Sequence, residues 1–416
     1  MMDLEKSIIP AVPDYSPELS VTESWGGRAR SLWGDRLGRL AELASKSCEL
    51  FFTEIGMSVP GIREPGNRLI VHKDGSVLPD LGKLMEFNKL SQLPKLAFIV
   101  ASTVNGEQIN AVCGLAREMK ENGVKAVVPI LTSMAHERQD HKFTDEDTRQ
   151  PINQVTTLKD GIEILNSYCD GALLFQPHSF RAVEFGLRQG IPILPIDGLA
   201  FLLQKSGLIG ESGLLVLGPD VGRRDAARVA ARTLNSPLLT VEKVRDRLHG
   251  GRPKIIWPEG SREWIKQNIR TVVITDDEIR DAGTTDVLTQ DLLGYADDIR
   301  IIAPKAIMTP RINPRTIIRE ERLVVVRPEN EWIASSTAEK LNKPNIREII
   351  ITDAIQPLVD LTLISEKIRI FSLKPEIKAL TDFLKSNWVP LSPDWLRNPR
   401  LTGTLLSLDL TVEKHS

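Results

Sequence analysis

Cysteine is scarce in this chain of 416 residues: Cys48, Cys113 and Cys169 are few, widely separated and odd in number. That argues against a disulfide framework or a zinc site, and reads as a reduced, intracellular protein. Long hydrophobic runs are missing too, with no stretch of about 18 apolar residues of the kind a membrane-spanning helix requires. Neither sign of charge dominates. The 53 Lys and Arg nearly balance 55 Asp and Glu, a net charge of −2, so no basic field draws in nucleic acid. Residues 1–17 are acidic and contain Pro10, Pro13 and Pro17, without the basic-then-apolar order of a secretory signal. The expectation is a cytoplasmic protein with no nucleic-acid and no membrane partner.

What is present is ordinary for a globular protein: 41% apolar and 26% charged residues. The length suits two α/β domains of about 150 to 180 residues each. From Lys95 onward, short apolar runs alternate with amphipathic stretches. Residues 96–100, 109–121 and 124–129 read as strand, helix, strand, and further strands are expected at 171–175, 191–195 and 214–217. Such units imply right-handed crossovers and a parallel sheet. The second half repeats the grammar, with a helix over 225–234 and strands at 238–241, 272–274, 299–303, 349–352 and 368–371. Gly207, Gly210 and Gly213 punctuate the middle. The expected division is an irregular tail over 1–30, domains over 31–205 and 206–385, and an extension over 386–416. Residues 250–270, rich in Gly and Pro, read as a mobile excursion.

The segment most charged with chemistry runs from Val272 through Thr275-Asp276-Asp277 to Gly283-Thr284-Thr285. A β-branched run that stops at paired carboxylates and a Gly/Thr turn reads as a parallel strand delivering its end to a ligand crevice. The following residues, 286–293, read as a helix whose free N–H groups and dipole would face an anion. The same letters also describe a turn with a helix cap. Other segments carry the same double reading. Arg138-Gln139-Asp140 is either a phosphate-binding and base-reading group or a solvated loop. His178 and Asp197 each stand just past a strand, as ligands or as satisfied polar residues. Asp220, in Gly218-Pro219-Asp220-Val221-Gly222, suits ribose hydroxyls or an N-cap. Lys243 and Arg245, two apart in an extended stretch, would share one face.

In this order the segments resemble the ribose-phosphate diphosphokinase, or phosphoribosyl-pyrophosphate synthetase, family over roughly residues 95 to 375. Arg138-Gln139-Asp140 matches its Arg-Gln-Asp nucleotide loop. His178 falls at its magnesium-associated histidine, with Gln176 in place of an acid, and Asp197-Gly198-Leu199 looks like its Asp-Asn-Leu. Pro219-Asp220-Val221-Gly222 resembles Pro-Asp-Ala-Gly, and Lys243-Val244-Arg245 its Lys-Glu-Arg catalytic loop. Asp276-Asp277 and Gly283-Thr284 match the two ends of its ribose-5-phosphate loop.

The resemblance implies an α/β protein of two similar phosphoribosyltransferase-like, Rossmann-like domains with parallel sheets flanked by helices. It implies transfer of the diphosphoryl group of ATP to ribose 5-phosphate or a related ribosyl phosphate, in a homo-oligomer using Mg2+. The roles implied are catalysis for Lys243 and Arg245, nucleotide binding for Arg138, Gln139 and Asp140, and metal binding for His178 and Asp197. Ribose-phosphate binding falls to Asp220, Asp276, Asp277, Arg280, Asp281, Ala282, Gly283 and Thr284. Inside that last loop the chain departs from the family: Arg280-Asp281 stands where Asp-Thr is usual, and Ala282 takes a glycine position. At about 4 Å, a unit charge pair near a protein surface is worth on the order of 4 kcal/mol before screening, enough to alter acceptor preference. His72-Lys73-Asp74-Gly75-Ser76 keeps little of the family's base-binding motif. The other expectation is therefore a catalytically inactive homologue serving as a nucleotide-binding regulatory or assembly subunit.

Overall fold

The β-branched runs become strands buried from end to end in the computed structural model of the chain. It describes residues 94–137 except 105, 157–219 except 180, 224–244, 254–308, and 336–387 except 356 and 358–360. It also describes short pieces between residues 8 and 79 and between 315 and 326. The chain forms two compact units.

The first unit takes the described residues from 35 to Gly198, together with Asp353–Ile355 and the helix Lys374–Asn387. Its sheet runs Cys48–Phe52, Leu96–Ser102, Ala126–Ser133, Ala172–Phe175, Ile193–Ile196, and every neighbouring pair is parallel. Strands of this kind are covered on both faces and therefore carry continuous apolar sequence. The helices Gly106–Glu121, Thr157–Tyr168 and Arg181–Gln189 connect them. The first buries Ile109, Val112, Ala116 and Met119, a stripe at helical spacing. All five strands end at one edge, which gathers the loops that follow them.

The second unit comprises Leu199–Thr352 and Gln356–Phe371, with the edge strand Ile8–Ile9. Its seven strands run Ile8–Ile9, Leu238–Thr240, Leu214–Gly218, Thr271–Thr275, Ile299–Ile302, Ile346–Thr352, Ile368–Phe371. All pair in parallel except the first, which is antiparallel. From Leu214–Gly218 the chain goes out to Leu238–Thr240 on one side and then crosses to Thr271–Thr275 on the other. Strand order reverses there, and in open α/β sheets ligands bind outside the carboxyl ends of the strands at such a reversal, here Leu214–Gly218 and Thr271–Thr275.

Two expectations are corrected. Within 250–270 the chain forms the strand Lys254–Ile256, paired antiparallel with Glu242–Val244, and the helix Ser261–Asn268. Ile255 and Ile265 enter the apolar core, with Trp257 and Trp264 packed against it; that burial outweighs the Gly and Pro punctuation. The helix after the paired aspartates starts at Gly283 rather than Asp286. Ala282 takes the left-handed conformation, φ 51°, and turns the chain a few residues early. Residues 388–416 lie outside the described residues.

Candidate functional site

The loop after Thr271–Thr275 is built as an extension of the sheet. Asp276 donates its N–H to Ile302 O at 3.0 Å, and its carboxylate accepts the N–H of Asp277 at 2.9 Å. Asp277 is buried. Glu278–Ile279 then pairs in parallel with Lys305–Ala306, which anchors the loop to a second segment where the Lys305 side chain is fully buried. Glu278, also buried, accepts Arg280 Nε–H at 2.6 Å.

Beyond it, Asp281 Oδ1 accepts the N–H of Gly283 at 3.1 Å. Asp286 N–H closes the first helical turn on Ala282 O at 2.7 Å. The helix Ser336–Leu341 and the residues after it clasp the loop from outside: Thr337 Oγ1 donates to Arg280 O, Lys340 Nζ donates to Asp281 O at 2.7 Å, and Lys343 Nζ meets Asp286 Oδ1 at 2.8 Å. The result is a rigid, acid-rich turn with the start of the helix Gly283–Asp291 at its end. The expected residues Asp276, Asp277, Arg280, Asp281, Ala282, Gly283 and Thr284 all lie on this one turn. Paired carboxylates there can hold vicinal hydroxyls, and a helix start can hold an anion. Lys243 lies on the hairpin strand Glu242–Val244 and is half-buried. Arg245 and Asp220 lie outside the described residues.

In the other unit the loops after Ala126–Ser133, Ala172–Phe175 and Ile193–Ile196 are tied together. The buried Glu137 carboxylate accepts Met134 N–H at 2.7 Å with one oxygen and His178 N–H at 3.2 Å with the other. Gln176, with φ 44°, accepts Gly198 N–H at 2.9 Å. Gly198 is required: a Cβ there would lie 2.7 and 2.9 Å from the Phe175 ring carbons Cε2 and Cε1. His178 and Asp197 thus follow adjacent strands at one sheet edge, both half-buried. Among the described residues no three His, Cys, Asp or Glu side chains group as a metal cluster. Arg138, Gln139 and Asp140 lie outside the described residues.

Three contributors were not singled out from the sequence. Glu137 and Glu278 sit among other charges, and nothing local says that their carboxylates are buried and bonded. Lys305 follows Ala303-Pro304, where a loop cation on the surface is the ordinary expectation. Among the described residues no helix is long and apolar enough to cross a membrane.

The two largely parallel sheets flanked by helices define an α/β architecture of the phosphoribosyltransferase-like kind. The solved phosphoribosylpyrophosphate synthetase of Mycobacterium smegmatis shares this fold, with a TM-score of 0.57 at 16% identity, covering 82% of this chain and 99% of that one. In sequence the chain is similar to the ribose-phosphate pyrophosphokinase of Saccharolobus solfataricus, 26% identical over 194 residues, and to that of Mycoplasma genitalium, 29% identical over 131. These alignments cover 46% and 30% of this chain and span 60% and 36% of the two relatives. No protein-family model matches the chain. The chain is thus similar in sequence to part of these pyrophosphokinases and shares the fold of the solved synthetase.

Proposed function

We propose that the protein transfers the diphosphoryl group of ATP to the anomeric hydroxyl of ribose 5-phosphate or a related ribosyl phosphate. The observation that carries this reading is the Asp276-to-Thr284 turn at the point of strand reversal, with two carboxylates and a helix start set on one rigid loop. Asp276 and Asp277 hold the ribose hydroxyls, and Gly283 and Thr284 face the acceptor's phosphate. Asp220 completes that side. Lys243 and Arg245 neutralise the diphosphoryl group as it passes, while Arg138, Gln139 and Asp140 bind the nucleotide.

The anomeric oxygen attacks the β-phosphorus and releases its proton. The bond from that phosphorus to the oxygen bridging it to the α-phosphorus breaks, and AMP leaves. Positioning and charge stabilisation supply most of the catalysis in such transfers. His178 and Asp197 would hold a hydrated magnesium ion, whose chemistry is to offset phosphate charge. The reading includes a homo-oligomer in the cytoplasm.

The test is AMP formation from ATP, magnesium and ribose 5-phosphate, with Lys243→Ala as the matched control. Turnover lost in Lys243→Ala supports the reading. The second reading, a non-catalytic nucleotide-binding or assembly subunit, is favoured by the Asp281 carboxylate at the Gly283 N–H. It predicts no AMP with any ribosyl acceptor.

A further inference from the structure

The hairpin that carries Lys243 leaves the carboxyl edge of the second unit's sheet. One residue, Val241, separates the strand Leu238–Thr240 from Glu242–Val244, and its N–H donates to Gly218 O at 3.4 Å. Lys243 pairs with Ile255 across the hairpin. Directly opposed residues of an antiparallel pair share a face, and Ile255 enters the apolar core, so Lys243 stands on the inward face. Glu242, Val244, Lys254 and Ile256 make the outer face and are all exposed. Trp257 follows Ile256 and precedes Pro258, which favours extended backbone there, and alternation brings it to the inward face beside Ile255. Its ring packs against the same core, and its indole Nε1–H donates to Asp291 Oδ2 at 2.9 Å.

Asp291 is the last residue of the helix Gly283–Asp291, where a carboxylate meets the negative end of the helix dipole. That placement is unfavourable unless a donor answers it, and the Trp257 indole is such a donor. A two-stranded hairpin with three residues a side does not hold its own position. Burial of Ile255 fixes its depth but has no direction, whereas the indole bond is directional and fixes how the hairpin turns and slides. A second tie lies close by: Arg262 Cζ stands 5.2 Å from the centre of the Tyr295 ring, just past the same helix. The other end of that helix opens at the acceptor turn, where Gly283 N–H meets Asp281. The helix is thus a nine-residue strut between the acceptor turn and the base of the hairpin.

We infer that Trp257 and Asp291 are positioning residues: their bond fixes the Lys243 hairpin to the helix that opens at the acceptor turn, and so sets where Lys243 meets the diphosphoryl group. The inference rests on the proposed diphosphoryl transfer, and neither residue belongs to the motifs that carry the resemblance. Both act through Lys243 rather than on substrate. Where positioning supplies the catalysis, a shift of about 1 Å can cost on the order of a hundredfold in rate.

The experiment uses the full chain with Trp257→Phe, Asp291→Asn, Asp291→Ala and the double variant Trp257→Phe with Asp291→Ala, read by amide hydrogen exchange of the hairpin and by AMP formation. Phenylalanine keeps a ring and removes the N–H, and asparagine keeps a carbonyl acceptor. Trp257→Phe and Asp291→Ala should each speed hairpin exchange about tenfold. Asp291→Asn should stay within about threefold of the parent, and the double variant should exchange no faster than either single. Turnover should follow in kcat, about tenfold lower, with KM for ribose 5-phosphate within about twofold because the acceptor turn is unaltered. Hairpin exchange equal to the parent's in both single variants, or effects that add in the double variant, overturn the inference. Faster exchange with kcat unchanged overturns the positioning of Lys243. A parent that forms no AMP rejects the transfer and leaves the anchor to stand or fall on exchange alone.

Discussion

Replacing Asp281 should turn the start of the Gly283–Asp291 helix into a better phosphate site. Its Oδ1 takes the Gly283 N–H at 3.1 Å, and its two carboxylate oxygens lie 3.3 and 3.5 Å from where a Cβ on that glycine would stand. A phosphate oxygen on the same N–H would bring its charge to about 4 Å from the carboxylate, a repulsion on the order of 4 kcal/mol before screening. Asp281 is exposed, so screening reduces this to about 1 kcal/mol, roughly fivefold in affinity. Arg280 offsets little of it, because its Nε is engaged by the buried Glu278. The assay is calorimetric titration of inorganic phosphate and ribose 5-phosphate into the parent, Asp281→Asn and Asp281→Ala. Asparagine keeps an acceptor for the Gly283 N–H and removes the charge; alanine removes both and costs about 1 kcal/mol of stability. Both should gain about fivefold in phosphate affinity, with alanine gaining more. Unchanged or weaker binding in both variants would refute the reasoning.

Three further outcomes follow from the same geometry. Glu137→Ala strands the buried Met134 N–H and the partly buried His178 N–H, and should lower stability by about 1 to 3 kcal/mol; an unchanged urea midpoint contradicts the role given to Glu137. Gly198→Ala forces a methyl onto the buried Phe175 ring and should cost about 1 to 3 kcal/mol, read as a drop in melting temperature. The Cys169 thiol is pushed well above the ordinary value of 9.0 by its hydrogen bond with Cys113 and by burial. The folded state therefore keeps a proton that the unfolded thiol gives up, and by linkage stability is full below the ordinary thiol value and falls as pH climbs past it. Cys169→Ala should flatten that part of the stability profile, and an identical slope with and without the thiol contradicts the assignment.

The sheets were legible because parallel strands, covered on both faces, must be apolar along their whole length. The runs at 272–274, 299–303 and 349–352 announce themselves that way, and each stops at polar residues. The paired aspartates and Gly283-Thr284 were readable for the same reason. Less could be read wherever the deciding partner is distant in sequence. Residues 254–268 carry the Gly and Pro signs of an irregular segment, yet Ile255 and Ile265 meet a core built by strands elsewhere in the chain. Burial of Glu137 and Lys305 depends on loops that the local sequence does not identify. The strand Ile8–Ile9 and the helix Lys374–Asn387 each join the unit farther from them along the chain, which no local pattern encodes.

The central claim is the transfer itself, and phosphorus NMR of the full chain with ATP, magnesium and a ribosyl phosphate tests it most directly. The account predicts AMP and a new diphosphate ester on the anomeric oxygen in equal amounts, both dependent on the acceptor. ATP left intact in the presence of ribose 5-phosphate and larger ribosyl phosphates, or cleaved to AMP and free diphosphate regardless of acceptor, would contradict it.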